Sequence, residues 1–189
     1  MTAEEIVEAL HETPLFSIPE AKRPTGIPGA PGCYSWWCPL DALPGVPATP
    51  HPSEAFGLLY VGIAPRDTAS SARLRSRLCR QHIGGNVGSS TFRFGLAALL
   101  WEQERWTPRT SASGKFKLAR LDNRALSEWQ ITHLRLRWAV TSEPWHFEKN
   151  LIRVMQPPMN RDHNEKHPFY KSMGDARDRF RQAARTTPM

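Results

Sequence analysis

Cysteine is scarce in this chain, and what there is does not pair. Cys33, Cys38 and Cys79 are odd in number and form no C-x-x-C, so neither a disulfide frame nor a zinc knuckle is indicated. No apolar run is long enough to span a bilayer, and the acidic, amphipathic start does not read as a signal peptide. A cytoplasmic location is the default expectation. Internal repeats are absent, and no helix-turn-helix, zinc finger or second domain is visible. Acidic residues are the other shortage: 18 Asp plus Glu stand against 25 Lys plus Arg, for a net charge of +7. Such a balance fits a polyanion partner, and it also fits an ordinary basic soluble protein.

What is present is enough for one core. The 189 residues are 40% hydrophobic and include seven tryptophans, which fits one globular domain with arms. "TAEEIVEAL" predicts a short amphipathic helix, with Thr2 and Glu5 at capping-box spacing. Pro and Gly crowd residues 18–32 and predict extended loop. "GCYSWW" (Gly32–Trp37) reads as a strand, residues 39–53 as a proline-rich loop, and "GLLYVG" (Gly57–Gly62) as a second, buried strand. Leu74 and Leu78 predict a helix over 72–83, with serines placed to cap its start. Phe92, Leu96, Leu99 and Leu100 predict a more buried one. Residues 103–125 read as a polar surface excursion, and "HLRLRWAV" as a third strand. Ser142 followed by Pro144 reads as the N-cap of the next helix. A polar stretch and a basic helix near 174–185 close the chain.

That next helix carries the question of function. In "FEKNLIRVMQPPMN" (Phe147–Asn160), Phe147, Leu151, Ile152 and Met155 fall on one apolar face at helical period. Glu148 belongs to the same stripe. A carboxylate pointing with core residues is costly unless something neutralises it. A hard divalent cation would do so, since Mg²⁺ takes carboxylate oxygen, keeps several waters and can be held by one protein Glu. A salt bridge to Lys or Arg across a helix packing is the competing reading.

The pieces "GCY" (Gly32–Tyr34), "YVG" (Tyr60–Gly62), Arg77, Glu148 and Asn160 resemble, in order, the motifs of the GIY-YIG nuclease superfamily. They span residues 32–160, about two thirds of the chain, with Cys33 and Val61 standing where the pattern has isoleucine. The resemblance implies an α+β fold: a small three-stranded antiparallel sheet flanked by helices. It divides the chain into an N-terminal helix and Pro/Gly-rich arm over 1–30, a nuclease domain over 31–162 with loop insertions at 39–54 and 103–125, and a basic extension over 163–189. It also implies a metal-dependent endonuclease that hydrolyses phosphodiesters, with Mg²⁺ or Mn²⁺ as cofactor and DNA as partner, in a restriction, repair or mobile-element setting. The alternatives are a nucleic-acid-binding module of the same fold without cleavage, and a basic scaffold that is no nuclease.

In that reading Tyr34 takes a proton from water, Tyr60 orients or relays it, and Arg77 clamps the scissile phosphate. Glu148 holds the metal. His82 stands five residues after Arg77, where the family pattern has four, and Arg75 competes with Arg77 for the clamp. Gly62 allows close approach, and Asn160 ties down its loop from behind the site. Arg73, Arg77 and Arg80 form a stripe at i, i+4, i+7. With Arg75, Lys115 and Lys117, they are candidates to track a nucleic-acid backbone. Each has a plainer reading: buried tyrosines are usually core, arginine stripes usually solvated, and a Lys115/Lys117/Arg120 segment usually a loose loop. His163 and His167 sit at i,i+4, but with no partner Cys they make a weak case for a metal site.

Overall fold

A computed structural model describes residues 1–187. In chain order its elements begin with α1 (Ala3–His11), β1 (Phe16–Ser17), α2 (Ile18–Ala21), β2 (Gly32–Pro39), β3 (Thr49–Pro50) and β4 (Phe56–Ala64). A π-helix (Ser76–Ile83) leads to α3 (Thr91–Leu100), β5 (Pro108–Thr110), β6 (Phe116–Leu118) and α4 (Arg120–His133). The chain closes with β7 (Arg135–Val140), α5 (Glu148–Met155) and α6 (Tyr170–Thr186).

The main sheet runs β1-β7-β2-β4-β3, with every pairing antiparallel. The sequence predicts three strands and the sheet has five. The three long strands β7, β2 and β4 are those expected, and two two-residue strands flank them. Such short edge strands carry no readable period. β3 lies inside the predicted 39–53 loop and pairs with β4 only at Leu58 and Gly57. Beyond Leu58 the outer edge of β4 is therefore free of strand partners.

Both faces of the sheet are covered, which is why β2 is buried at seven of its eight positions. Ile6 and Leu10 of α1 and Leu151 and Met155 of α5 pack on the face showing Cys33, Trp37 and Val61. The opposite face shows Tyr34, Trp36 and Leu59 to Leu78 of the π-helix, Phe92 of α3, Leu126 of α4 and Phe180 of α6. A bulge opposite Trp36 and Trp37 lets Leu59 and Tyr60 both turn toward this second face.

Several local expectations change. The 18–32 loop contains α2, capped by Ser17. The 103–125 excursion contains the β5–β6 hairpin and the start of α4, a helix the sequence does not announce. Only Leu126 and Gln130 of α4 are buried, while Leu121 and Ile131 face water, so its apolar period is broken. Ser142 is not a cap: a 3₁₀ turn over Pro144–His146 intervenes, and α5 starts at Glu148 behind Phe147. The stretch 163–189, read as an extension, supplies α6. Its Met173, Ala176, Phe180 and Ala184 are buried in the main core, and burying one such Phe stabilises by about 1.5–3 kcal/mol. Among the described residues no helix is long and apolar enough to cross a membrane.

Candidate active site

Tyr34 and Tyr60 leave neighbouring strands on the same face, and their rings stack with centroids 6.5 Å apart. Tyr34 can lie flat across β4 because its register partner is Gly62. A Cβ there would come 2.5 Å from the Tyr34 Cζ and 2.9 Å from Cε2. The glycine is thus required by the phenol that faces it.

The Tyr34 hydroxyl ends 2.6 Å from Nε2 of His82, and Nδ1 of the same imidazole lies 2.7 Å from Oγ of Ser90. Burial pulls the His82 pKa down to about 3, with the Arg77 charge adding to it, so this ring is neutral at working pH. Burial also holds the Tyr34 phenol well above its ordinary range; Tyr60 and Glu148 push the same way and Arg77 opposes them. Tyr60 is pushed up to about 12, by burial first and then by Glu148.

The spacing of Arg77 and His82 has a structural cause. Their helix is a π-helix, in which bonds span five residues: the Gly84 amide donates to the Cys79 carbonyl at 2.9 Å. In such a turn positions five apart return to one side, so the extra residue is absorbed where function needs it. Arg77 reaches the tyrosines and Glu148 closely enough to act on their charges. Its Nη1 donates to Gln81 at 2.6 Å, and its buried Nε has no hydrogen-bond partner among the described residues. Arg75 turns the other way. Its guanidinium donates to the carbonyls of Lys22, Arg23 and Ile27, which ties the N-terminal arm down. Arg73 and Arg80, which α-helical spacing puts on the face of Arg77, instead line a separate depression with Arg75 and Cys79.

Glu148 opens a cavity of about 130 Å³ along the free edge of β4, shared with Tyr60, Asn160, Asp162, His163 and Arg177. Among the described residues its carboxylate makes no hydrogen bond and no ion pair. Burial raises its pKa, His163 and Arg77 draw it down, and Asp162 pushes it up. No group of three or more metal-binding side chains is present among the described residues. A part-buried carboxylate facing a polar cavity, with Asp162 also in its wall, suits a hydrated hard cation rather than a caged one. Asn160 accepts the Val61 amide at 3.0 Å and donates to the Val61 carbonyl at 2.8 Å, and the Met159 amide donates to Leu59. The segment thus pairs with β4 where β3 stops, and fixes the strand between Tyr60 and Gly62. Lys115 and Lys117 lie on the β5–β6 hairpin, apart from this cavity.

Three contributors were not anticipated. Ser90 caps α3 through the Arg93 amide while touching His82. Arg93 is fully buried with its pKa pulled down to about 10 by burial. It donates to the carbonyls of His82 and Ile83, to Gln130, Ser127 and Asn123, pinning the end of the π-helix to α4. Arg177 walls the Glu148 cavity from α6.

Two stacked tyrosines, a buried imidazole bonded to one of them, a guanidinium and a carboxylate with no ion pair among the described residues thus gather on one side of β2 and β4. The model of the GIY-YIG catalytic domain matches residues 32–179, and the chain belongs to that family. The match runs from the start of β2 into α6, past residue 162. Comparisons with curated proteins and with solved structures give no match.

Proposed function

We propose that this protein is a divalent-cation-dependent endonuclease that cuts phosphodiester bonds in DNA, with a cytoplasmic setting in restriction, repair or the mobility of genetic elements. The observation that carries the reading is the Tyr34–His82 hydrogen bond beside the cavity of Glu148. The three free cysteines, two of them buried, fit a reducing compartment.

Neutral His82 accepts the Tyr34 proton at Nε2, with Nδ1–H donating to Ser90. As an attacking water comes up to Tyr34, the phenol passes its own proton inward while taking the water's proton. Resting imidazolium is disfavoured by burial and by Arg77. A phosphate bound to Arg77 offsets that charge, so substrate binding itself raises the affinity of His82 for the proton. Tyr60 faces both Tyr34 and the cavity and orients the water by hydrogen bonding. Arg77, with its buried Nε free, takes the phosphate in a fork. Glu148 would hold Mg²⁺ or Mn²⁺, which supplies charge neutralisation at the phosphate and the leaving oxygen. Gly62 and Asn160 keep the phenols in place.

The test is a cleavage panel of supercoiled plasmid, single-stranded DNA and branched DNA, with Mg²⁺, Mn²⁺ or EDTA. Metal-dependent cutting of at least one substrate is expected. Protein that binds DNA yet leaves the whole panel intact with metal would sink the nuclease reading in favour of a binding module.

A further inference from the structure

Arg177 and Thr91 line the Glu148 cavity, and the same two residues line a second depression of about 480 Å³ behind it. Its walls are the N-terminus of α3, α6 and the β5–β6 hairpin, with Lys115 and Arg181 at its rim and no carboxylate lining it. A third, wider depression shares Lys115 and Phe116 with it and adds Lys117 and Arg120. The three form one continuous basic path leading away from the catalytic tyrosines.

Arg177 is the hinge of the path. It is 7% exposed and makes no ion pair among the described residues, although Asp162 across the Glu148 cavity favours its charge. Nη2 donates to the Met159 carbonyl at 3.3 Å, and Nε has no hydrogen-bond partner among the described residues. Burial pulls its pKa down, Tyr60 and Asp162 oppose that, and Arg161 and Arg181 add to it. A buried cation without an anion is costly, and an anion seated beside it relieves that cost. Thr91 brings the matching donors. Ser90 takes the Arg93 amide with its hydroxyl and the Phe94 amide with its carbonyl. The amides of Thr91 and Phe92 are left without protein acceptors among the described residues. A helix start with free amides attracts phosphate oxygens. Arg181 is held over the Phe94 ring at 5.0 Å by a 2.6 Å bond to Asp178, so its charge is fixed at the rim.

We propose that this second depression binds the phosphodiester next along the strand from the one being cut, with Arg177 as the wall shared by the two phosphates. The path over Lys115 and Lys117 then carries the strand onward. The inference rests on the nuclease reading and names how that same site holds its substrate. It also moves the backbone track from the Arg73/Arg80 face, whose depression shares no residue with the Glu148 cavity, to the face of α6 and the hairpin. All the contacts involved are to backbone, so they grip without reading sequence.

The test measures affinity for a labelled DNA oligonucleotide against salt, in EDTA, for wild type, Lys115→Ala/Arg181→Ala and Arg73→Ala/Arg80→Ala. Wild-type cleavage with metal is scored in parallel. The Lys115/Arg181 pair should lose about tenfold or more in affinity at moderate salt, and its log–log salt slope should fall by about 1.4–1.8, the value of two phosphate contacts. Arg177→Gln should weaken binding further, with its melting temperature reporting whether it folds; if it does not, the surface pair alone decides. An unchanged slope for Lys115→Ala/Arg181→Ala, or a larger drop for Arg73→Ala/Arg80→Ala, overturns the proposal. Wild type that fails to bind DNA overturns it as well. Wild type that binds but never cuts sinks the nuclease reading alone, and the slopes still decide this site.

Discussion

The Tyr34 hydroxyl and the Nε2 nitrogen of His82 meet at 2.6 Å, each residue no more than 3% exposed. On the proposed mechanism these two buried groups relay the proton taken from water, with the phenol as the end that meets it. Tyr34→Phe removes the end and nothing else. The variant should fold, with a cost of about 1–3 kcal/mol for the imidazole nitrogen it strands. Cleavage should fall by roughly 10²–10⁴, the usual share of general acid–base catalysis. Plasmid nicking rates and a denaturation curve check both; a Phe variant that cuts near the wild-type rate would remove Tyr34 from the chemistry.

Glu148 makes no ion pair among the described residues, with His163 and Arg77 acting on it only from a distance, so Glu148→Gln breaks no salt bridge. The variant should melt within a few degrees of wild type in EDTA, keep DNA binding, and lose cleavage by orders of magnitude. Wild type should gain melting temperature with Mg²⁺ or Mn²⁺ where the Gln variant does not. Breaking a buried ion pair would instead cost about 3–5 kcal/mol without metal, and such a loss would return Glu148 to the salt-bridge reading.

The strands that carry Tyr34 and Tyr60 are legible because apolar residues and period mark them, and Glu148 is legible because it breaks the rule of its own helix face. What stayed hidden depends on partners distant in sequence. Arg93 reads as a stray charge inside an apolar helix until Asn123, Ser127 and Gln130 of α4 close around it. The five-residue step from Arg77 to His82 departs from the four of the family pattern, and nothing in the sequence announces that the helix there is a π-helix. α4 itself buries too little apolar surface to leave a stripe.

His82 makes a prediction about acid. Its ordinary pKa near 6.5 is recovered on unfolding, whereas the folded value is about 3. Above pH 6.5 both states hold the ring neutral and its full contribution is present. As pH falls from 6.5 toward 3 the unfolded chain takes up a proton the native one refuses, and stability drops by something on the order of a few kcal/mol. His51 and His167, also lowered by burial, act with the same sign, and Glu148, raised by burial, acts against them. His82→Gln should therefore show a shallower loss of stability across that window than wild type, measured by urea unfolding at several pH values. Equal slopes would mean that His82 is hydrated in the folded state.

Arg93 should matter for stability before catalysis. Arg93→Met keeps the volume of the stem but leaves Oε1 of Gln130 and Oδ1 of Asn123 without their donor, and takes one of two donors from the carbonyls of His82 and Ile83. Each stranded buried acceptor costs about 1–3 kcal/mol, so a loss of at least about 3 kcal/mol is expected in urea. Arg93→Lys should recover only part, because one ammonium cannot span acceptors on two helices. A Met variant as stable as wild type would show that α4 does not depend on this link.

Asn160 has a second consequence, outside catalysis. Past Leu58 the strand that carries Tyr60 would show unpaired amides and carbonyls to any other extended chain. Met159 and Asn160 occupy those groups at Leu59 and Val61. The loop that braces the active site is thus also the molecule's protection against strand addition by a second copy of itself. Asn160→Ala should expose that edge and make the protein self-associate as its concentration rises, visible by light scattering. On the proposed reading the Asn160 amide serves solubility and chemistry together, and a search for activity among variants at this position will be limited by aggregation as much as by catalysis.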